Sequence, residues 1–440
     1  MSIALGRGSP TQAPLSPRGP AEPLNLGQEP RTEAAALRNF ESLRRSLDAL
    51  DVREEPSISI GTPVEVLRTT QSEPLDLAIP IVNMPDYSDP AKKAGFLETL
   101  WEAMTTVGFF AVCNAGVSSR VVDHAYEQSE QFFKGDLATK RETFAPELHG
   151  QRGWVPGETA KKDEQLQGKG VAKKDDKEFY HVGREGAQPE NIWPNQFGFT
   201  PALSSLFREL ERFVVPLQEA IVETVNSKSE KKLPLDLLNS TTRDGESLLR
   251  ALYYPAQKKV DESVTWASAH TDIDYLAILP RATEKGLQVL VKDQWRSVVV
   301  PPDAFIVNVG DMLENITNGL FTSARHRVKA LEPDKDRFSM VLFVHPTGDT
   351  SLEPLPECVA LTGGVQKYGP GTRNEFLWER LLELGIGGDS LLETYAKTGH
   401  AESQARFDRA SPQVVQMLTD KGLASPELLQ TLASRKSITT

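Results

Sequence analysis

Hydrophobic positions along this chain change their period twice. Up to about residue 227 they recur at three- and four-residue steps, the mark of amphipathic helices. Leu37, Phe40, Leu43, Leu47 and Leu50 form one such stripe, and Phe96, Leu97, Leu100, Trp101 and Met104 another. Further helical stretches cover roughly 118–135 and 201–227. Two apolar runs, IPIVNM (79–84) and GFFAVCNAG (108–116), read as buried strands. From about 248 the pattern shortens. LLRALYY, VTWASAH, DYLAIL, GLQVLVK, WRSVVV, AFIVNVG, ARHRVKA and RFSMVLFVH give eight candidate strands, most of them parted by glycine, proline or polar residues. Eight short strands in about 100 residues fit a closed or double-sheet architecture such as a jelly roll. Helical spacing returns in RNEFLWERLLELG (373–385), ending at Gly385. Two echoing segments follow, ASPQVVQML (410–418) and ASPELLQTL (424–432), each with serine at the cap and proline at the first helical position. Helices segregated before and after the strands make the fold class α+β.

Composition trims this picture at its ends. The 440 residues allow one large domain or two, and a hydrophobic share of 39% is slightly low for a wholly globular chain. The first 30 residues hold six prolines and no aromatic residue, so disorder is expected there. Residues 52–77 read as a connector, and the mixed-charge run 161–178 as a solvated loop. The helix at 32–51 is expected to dock on the main domain or to bind a partner. The segment 410–433 reads as a small protein-contact module.

Charge and cysteine content exclude some classes of function. A net charge of −12 argues against nucleic acid or an anionic membrane as partner. No apolar run approaches the roughly 18 residues of a membrane span. The opening MSIALGRGSPTQ lacks the apolar stretch of a secretory signal. Two cysteines, Cys113 and Cys358, are too few for a disulfide framework and suit a reducing compartment. The expectation is a soluble, cytoplasmic protein.

Candidate chemistry concentrates in the strand region. His270 and Asp272 flank Thr271 at a strand end, where residues i and i+2 share a face. His326 lies in another candidate strand, ARHRV. Two imidazoles and one carboxylate can form the facial triad of non-haem Fe(II), with positions left open on the metal. An isolated His-x-Asp is weak evidence and reads first as a structural polar cluster. Eleven residues after His326 come Arg337 and Ser339, again i and i+2. A guanidinium and a hydroxyl aimed into a barrel need an anion. That anion is either a bound carboxylate or an internal Asp or Glu.

With these residues in hand, the chain resembles the 2-oxoglutarate/Fe(II)-dependent dioxygenases, in particular the isopenicillin N synthase-like branch, over roughly 78–387. IPIVNMPDYSDP, VGFFAVCNAGV and FFKGDLATK are similar to that family's helical N-terminal region. GQRGWVPGE and KEFYHVGRE are similar to segments that border its substrate pocket. HTDIDYLAILP, GLQV with Trp295, IVNVGDMLENITNG, SARHRV and RFSMVLFVHP resemble its barrel. The resemblance implies a double-stranded β-helix, a jelly-roll variant. It also implies a division into 1–77 (Pro-rich segment and amphipathic helix), 78–230 (helical N-terminal part), 231–387 (barrel with iron site) and 388–440 (helical extension).

By the same resemblance, His270, Asp272 and His326 would hold Fe(II). Arg337 and Ser339 would hold the far carboxylate of 2-oxoglutarate, with the Tyr254 hydroxyl pointing towards it. Trp154, Phe179, His181 and Trp193, with Tyr180, would border a small-molecule substrate or close the core. The implied reaction uses O2 to hydroxylate, desaturate or cyclise a small organic substrate, and releases succinate and CO2. Two alternatives stay open: an oxidase like isopenicillin N synthase that needs no 2-oxoglutarate, and a non-catalytic iron- or oxygen-sensing or interaction protein. Asp274 departs from the glycine that many members carry soon after the first ligand pair. It is expected to face solvent or pair with a Lys or Arg, or else to meet a substrate amine.

Overall fold

The computed structural model describes residues 76–436, apart from 149, 157–176, 258–264, 333, 384, 386 and 387. The Pro-rich segment, the helix expected at 32–51 and nearly all of the charged run 161–178 lie outside the described residues. The described strands are β1 (Asp76–Ala78), β2 (Ile81–Asn83), β3 (Phe109–Cys113), β4 (Gly153–Val155), β5 (Glu178–Gly183), β6 (Leu248–Tyr254) and β7 (Ala267–His270). They continue with β8 (Leu276–Leu279), β9 (Leu287–Val291), β10 (Gln294–Val299), β11 (Phe305–Val309), β12 (His326–Val328) and β13 (Arg337–Val344). Each of the eight strands expected after 248 is present.

Two sheets face each other. The larger runs β2-β3-β11-β8-β13-β6-β5-β4 and the smaller β1-β10-β9-β12-β7. Strand β13 shows how alternation builds the barrel. Val341 lies between the sheets, in a cluster with Phe109, Phe179, Leu252, Tyr254, Ala277 and Val289. Phe338, Met340 and Leu342 point the other way, into a second core beneath the helices Lys93–Thr106, Ser119–Lys134 and Phe199–Lys228. Every residue of β13 except Phe343 is buried. Arg337 and Ser339 therefore share the inner face with Val341.

Two structural features add to the sequence-based division. The part expected to be helical, 78–230, supplies β2 and β3 to one edge of the larger sheet and β4 and β5 to the other. β2 and β3 are the buried strands expected at 79–84 and 108–116, whereas β4 and β5, which no apolar run announced, owe their strand form to pairing beside β6. The C-terminal helices form a third core around Leu382, Leu392, Tyr395, Val414, Leu418 and Leu428. That core already includes Trp378 and Leu382, so the helix Arg373–Glu383 packs with the extension. The two Ser-Pro starts cap as expected: Ser411 Oγ accepts from the Val414 N–H and Ser425 Oγ from the Leu428 N–H.

Candidate active site

His270 ends β7 and His326 begins β12, and the antiparallel ladder pairs these two residues directly. Their ring centroids lie 4.4 Å apart. Asp272, two residues past His270, turns its carboxylate between them. Its Oδ1 is 3.7 Å from His270 Nε2, and its Oδ2 is 3.5 Å from His326 Nε2. Among the described residues this is the one group of three or more His, Cys, Asp or Glu side chains that offers ligand atoms all within 4.8 Å of one another.

The surrounding chain fixes which atoms face the centre. His270 Nδ1 donates to the Ser268 carbonyl at 2.7 Å, and His326 Nδ1 to the Ala324 carbonyl at 3.2 Å. Both Nε2 lone pairs are thereby left for a metal, and the backbone bonds raise ligand basicity. Asn308 Nδ2, on the inner face of β11, donates to Asp272 Oδ2 at 2.9 Å. The edge of Phe109 packs on His326 at 5.4 Å.

Protonation follows from these contacts. The His270 ring is 47% exposed. Protein packed round its other side, and then the charge of His326, push its pKa down to about 4. Burial alone would raise the Asp272 carboxyl, but His326, His270 and the Asn308 bond outweigh it and hold it below the usual value. Two imidazoles and one carboxylate, with O and N donors converging and both rings braced, suit Fe(II).

The ligand loop is clamped from one side. The Asp311 N–H donates to the Asp272 carbonyl at 2.7 Å, Gly310 N–H to Tyr275 O at 3.1 Å and Met312 N–H to Asp274 O at 3.2 Å. Gly310 is required by close approach, since a Cβ there would lie 2.2 Å from the Asp274 carbonyl oxygen. Asp274 itself overturns the sequence-based expectation. It is fully buried against Gly310, and among the described residues neither carboxyl oxygen meets a Lys or Arg. Burial, followed by the charges of Asp272 and Asp311, raises its pKa well above the carboxylate range.

Arg337 and Ser339 are both buried, and Arg337 Nη1 donates to Ser339 Oγ at 3.0 Å while Nε donates to the Glu284 carbonyl at 3.1 Å. Among the described residues no Asp or Glu forms an ion pair with Arg337, so the internal-pair alternative does not hold. Tyr254 is the ladder partner of Arg337, which lies over its ring at 5.2 Å. A desolvated guanidinium beside a hydroxyl suits a carboxylate ligand.

The four candidate substrate residues divide between the two cores. Phe179 and His181 face between the sheets, with ring centroids 4.7 Å apart. Trp154 and Trp193 pack in the helix-side core instead. Trp154 donates to Glu178 Oε2 at 2.7 Å, and Trp193 meets Phe199 edge-on at 6.4 Å. Tyr180, one residue from Phe179, is fully buried on that same side.

Comparison with known proteins agrees with this centre. Residues 245–346 match the 2OG-Fe(II) oxygenase superfamily, and 79–196 match the N-terminal region described as "non-haem dioxygenase in morphine synthesis". The chain is 29% identical over 295 residues to 2-oxoglutarate-dependent dioxygenase 11 of Oryza sativa subsp. japonica, covering 67% of this chain and 78% of that protein. The crystal structure of a putative 2OG-Fe(II) oxygenase family protein from Caulobacter crescentus is 30% identical, with a TM-score of 0.61, covering 70% of this chain and 99% of that one. JOX2, crystallised with 2OG, Fe and JA, is 25% identical with a TM-score of 0.58, covering 80% and 96%. This chain belongs to the 2-oxoglutarate/Fe(II) oxygenase superfamily and is an iron(II)- and 2-oxoglutarate-dependent oxidoreductase.

Proposed function

We propose that His270, Asp272 and His326 hold Fe(II), and that Arg337 and Ser339 bind the far carboxylate of 2-oxoglutarate with Tyr254 beside it. The chemistry supplied by the bound iron is oxygen activation coupled to decarboxylation of 2-oxoglutarate to succinate and CO2. The chain's own part is orientation. Ser268 and Ala324 carbonyls fix the two imidazole tautomers, and Asn308 keeps the Asp272 carboxylate turned inward. The apolar wall of Phe109, Phe179, Leu252, Val289 and Val341 excludes water from the reacting region. The observation that carries this reading is the buried Arg337, without an acidic partner among the described residues, in the same barrel as the three ligands.

The substrate on this reading is a small organic molecule lying against Phe179 and His181. JOX2 with JA bound supports the small-molecule class. The net charge of −12 supports a chain with no nucleic-acid partner. Two free thiols and an Fe(II) requirement support a cytoplasmic setting. Residues 32–51 and 410–433 remain the proposed protein contacts. Anaerobic crystals soaked with Fe(II) and 2-oxoglutarate test the assignment. The expected density places the far carboxylate on Arg337 and Ser339, and density for 2-oxoglutarate elsewhere contradicts it.

A further inference from the structure

The inner face of the barrel carries a second arginine that binding of iron and 2-oxoglutarate does not use. Arg250 lies on β6 four residues before Tyr254, about 13 Å along the strand. Alternation places Arg250, Leu252 and Tyr254 on one face, and Leu252 and Tyr254 belong to the cluster between the sheets. Arg250 pairs in register with His181 of β5 on one side and Val341 of β13 on the other.

The guanidinium is held but not neutralised. Its Nε donates to His181 Nε2 at 2.6 Å. That bond requires the lone pair of Nε2, so the proton of a neutral His181 sits on Nδ1, which donates to the Gly150 carbonyl at 2.5 Å. The pair therefore keeps the single positive charge of Arg250. Phe179 and Phe343 flank that charge, with ring centres 4.6 and 5.0 Å from Cζ. Among the described residues Arg250 forms no ion pair, and its one hydrogen bond is to His181.

A half-buried cation between two phenyl rings is stable when an anion meets it. With Nε committed to His181, the two Nη atoms present the edge that matches a carboxylate.

We propose that Arg250, oriented by His181, binds a carboxylate on the substrate, so that this oxygenase acts on a small organic acid whose chain or ring lies against Phe179 and Phe343. The inference rests on the oxygenase reading above and names its substrate class. It also explains why Phe179 and His181 face inward: one forms the apolar wall, and the other sets the angle of the guanidinium.

The test uses matched pairs of medium-chain aliphatic acids or arylacetic acids and their methyl esters. Binding is read anaerobically from the change each causes in the visible charge-transfer band of the Fe(II)·2-oxoglutarate protein. The wild-type protein should bind at least one acid about tenfold or more tightly than its ester. Arg250→Gln should erase that preference, a loss of about 10- to 100-fold for a charge-assisted bidentate contact. Arg250→Lys, which keeps the charge, should retain part of it. The proposal is overturned if a wild-type protein that forms the band shows no preference for any acid over its ester. It is also overturned if the preference survives Arg250→Gln, or if Arg250→Gln raises the 2-oxoglutarate needed to form the band about tenfold, since the arginine would then hold the cosubstrate. A wild-type protein that forms no band would overturn the oxygenase reading as well.

Discussion

Arg380, on the helix Arg373–Glu383, donates a 3.0 Å bond to Oδ2 of Asp311. Asp311 also accepts from Thr271 Oγ at 3.0 Å and Ser323 Oγ at 2.6 Å, while its N–H holds the Asp272 carbonyl at 2.7 Å. One carboxylate thus ties the C-terminal helices to the backbone of a metal ligand. Burial pushes the Asp311 carboxyl up in pKa, and Arg380 is the first influence opposing that rise.

Arg380→Gln should therefore loosen the ligand loop. The expected result is a loss of about 1–2 kcal/mol in stability, the lower part of the range for a hydrogen bond to a charged group because the pair is partly exposed, with Fe(II) bound several-fold more weakly. Thermal melts and Fe(II) titration measure both. Unchanged values would mean that the extension packs beside the site without bracing it.

Asn308→Ala removes the only side-chain donor to Asp272 among the described residues, the 2.9 Å bond from Nδ2 to Oδ2. Loss of such an outer contact weakens metal binding about 10- to 100-fold. Anaerobic Fe(II) titration should show that range, and Asn308→Asp should be worse still, since it sets a like charge against the ligand. Wild-type affinity in Asn308→Ala would show that β11 does not orient the carboxylate.

Glu314, on the helix Asp311–Ile316, gives a pH dependence. Burial first, then the charge of Asp311, raises its pKa from 4.5 to about 7, against the opposing pull of Arg409. A carboxyl raised in the folded state binds its proton more tightly when folded. Its stabilising contribution is full below about 4.5 and is lost as pH rises through about 7. The shift corresponds to about 3 kcal/mol as an order of magnitude. Glu314→Gln should melt higher than wild type at pH 8 and close to it at pH 4. A difference that is the same at both pH values would contradict the assignment.

Much of this site was legible before the structure, because strand alternation carries it. His270 with Asp272 and Arg337 with Ser339 are each i and i+2 pairs, and period two sends both members to one face. The same rule applied to RALYY would have found Arg250 four residues before Tyr254, and applied to FIVNV would have marked Asn308 as a polar group facing inward. It also separates Phe179 and His181 from Tyr180 and Trp154, which a reading by pocket-bordering segment had grouped together. What alternation could not supply is contact across sequence. Arg380 meets Asp311 over 69 residues, and Asp274 is buried because Gly310 leaves room for it. Neither fact has a local signature.

The most direct measurement is 2-oxoglutarate turnover by the Fe(II)-loaded protein, read as succinate formed with O2 present. The wild-type protein should form succinate, Asp272→Ala should form none, and Arg337→Ala should need at least about tenfold more 2-oxoglutarate, the cost of one charge-assisted carboxylate contact. Succinate formation that survives Asp272→Ala, or a 2-oxoglutarate requirement unchanged in Arg337→Ala, would contradict the account.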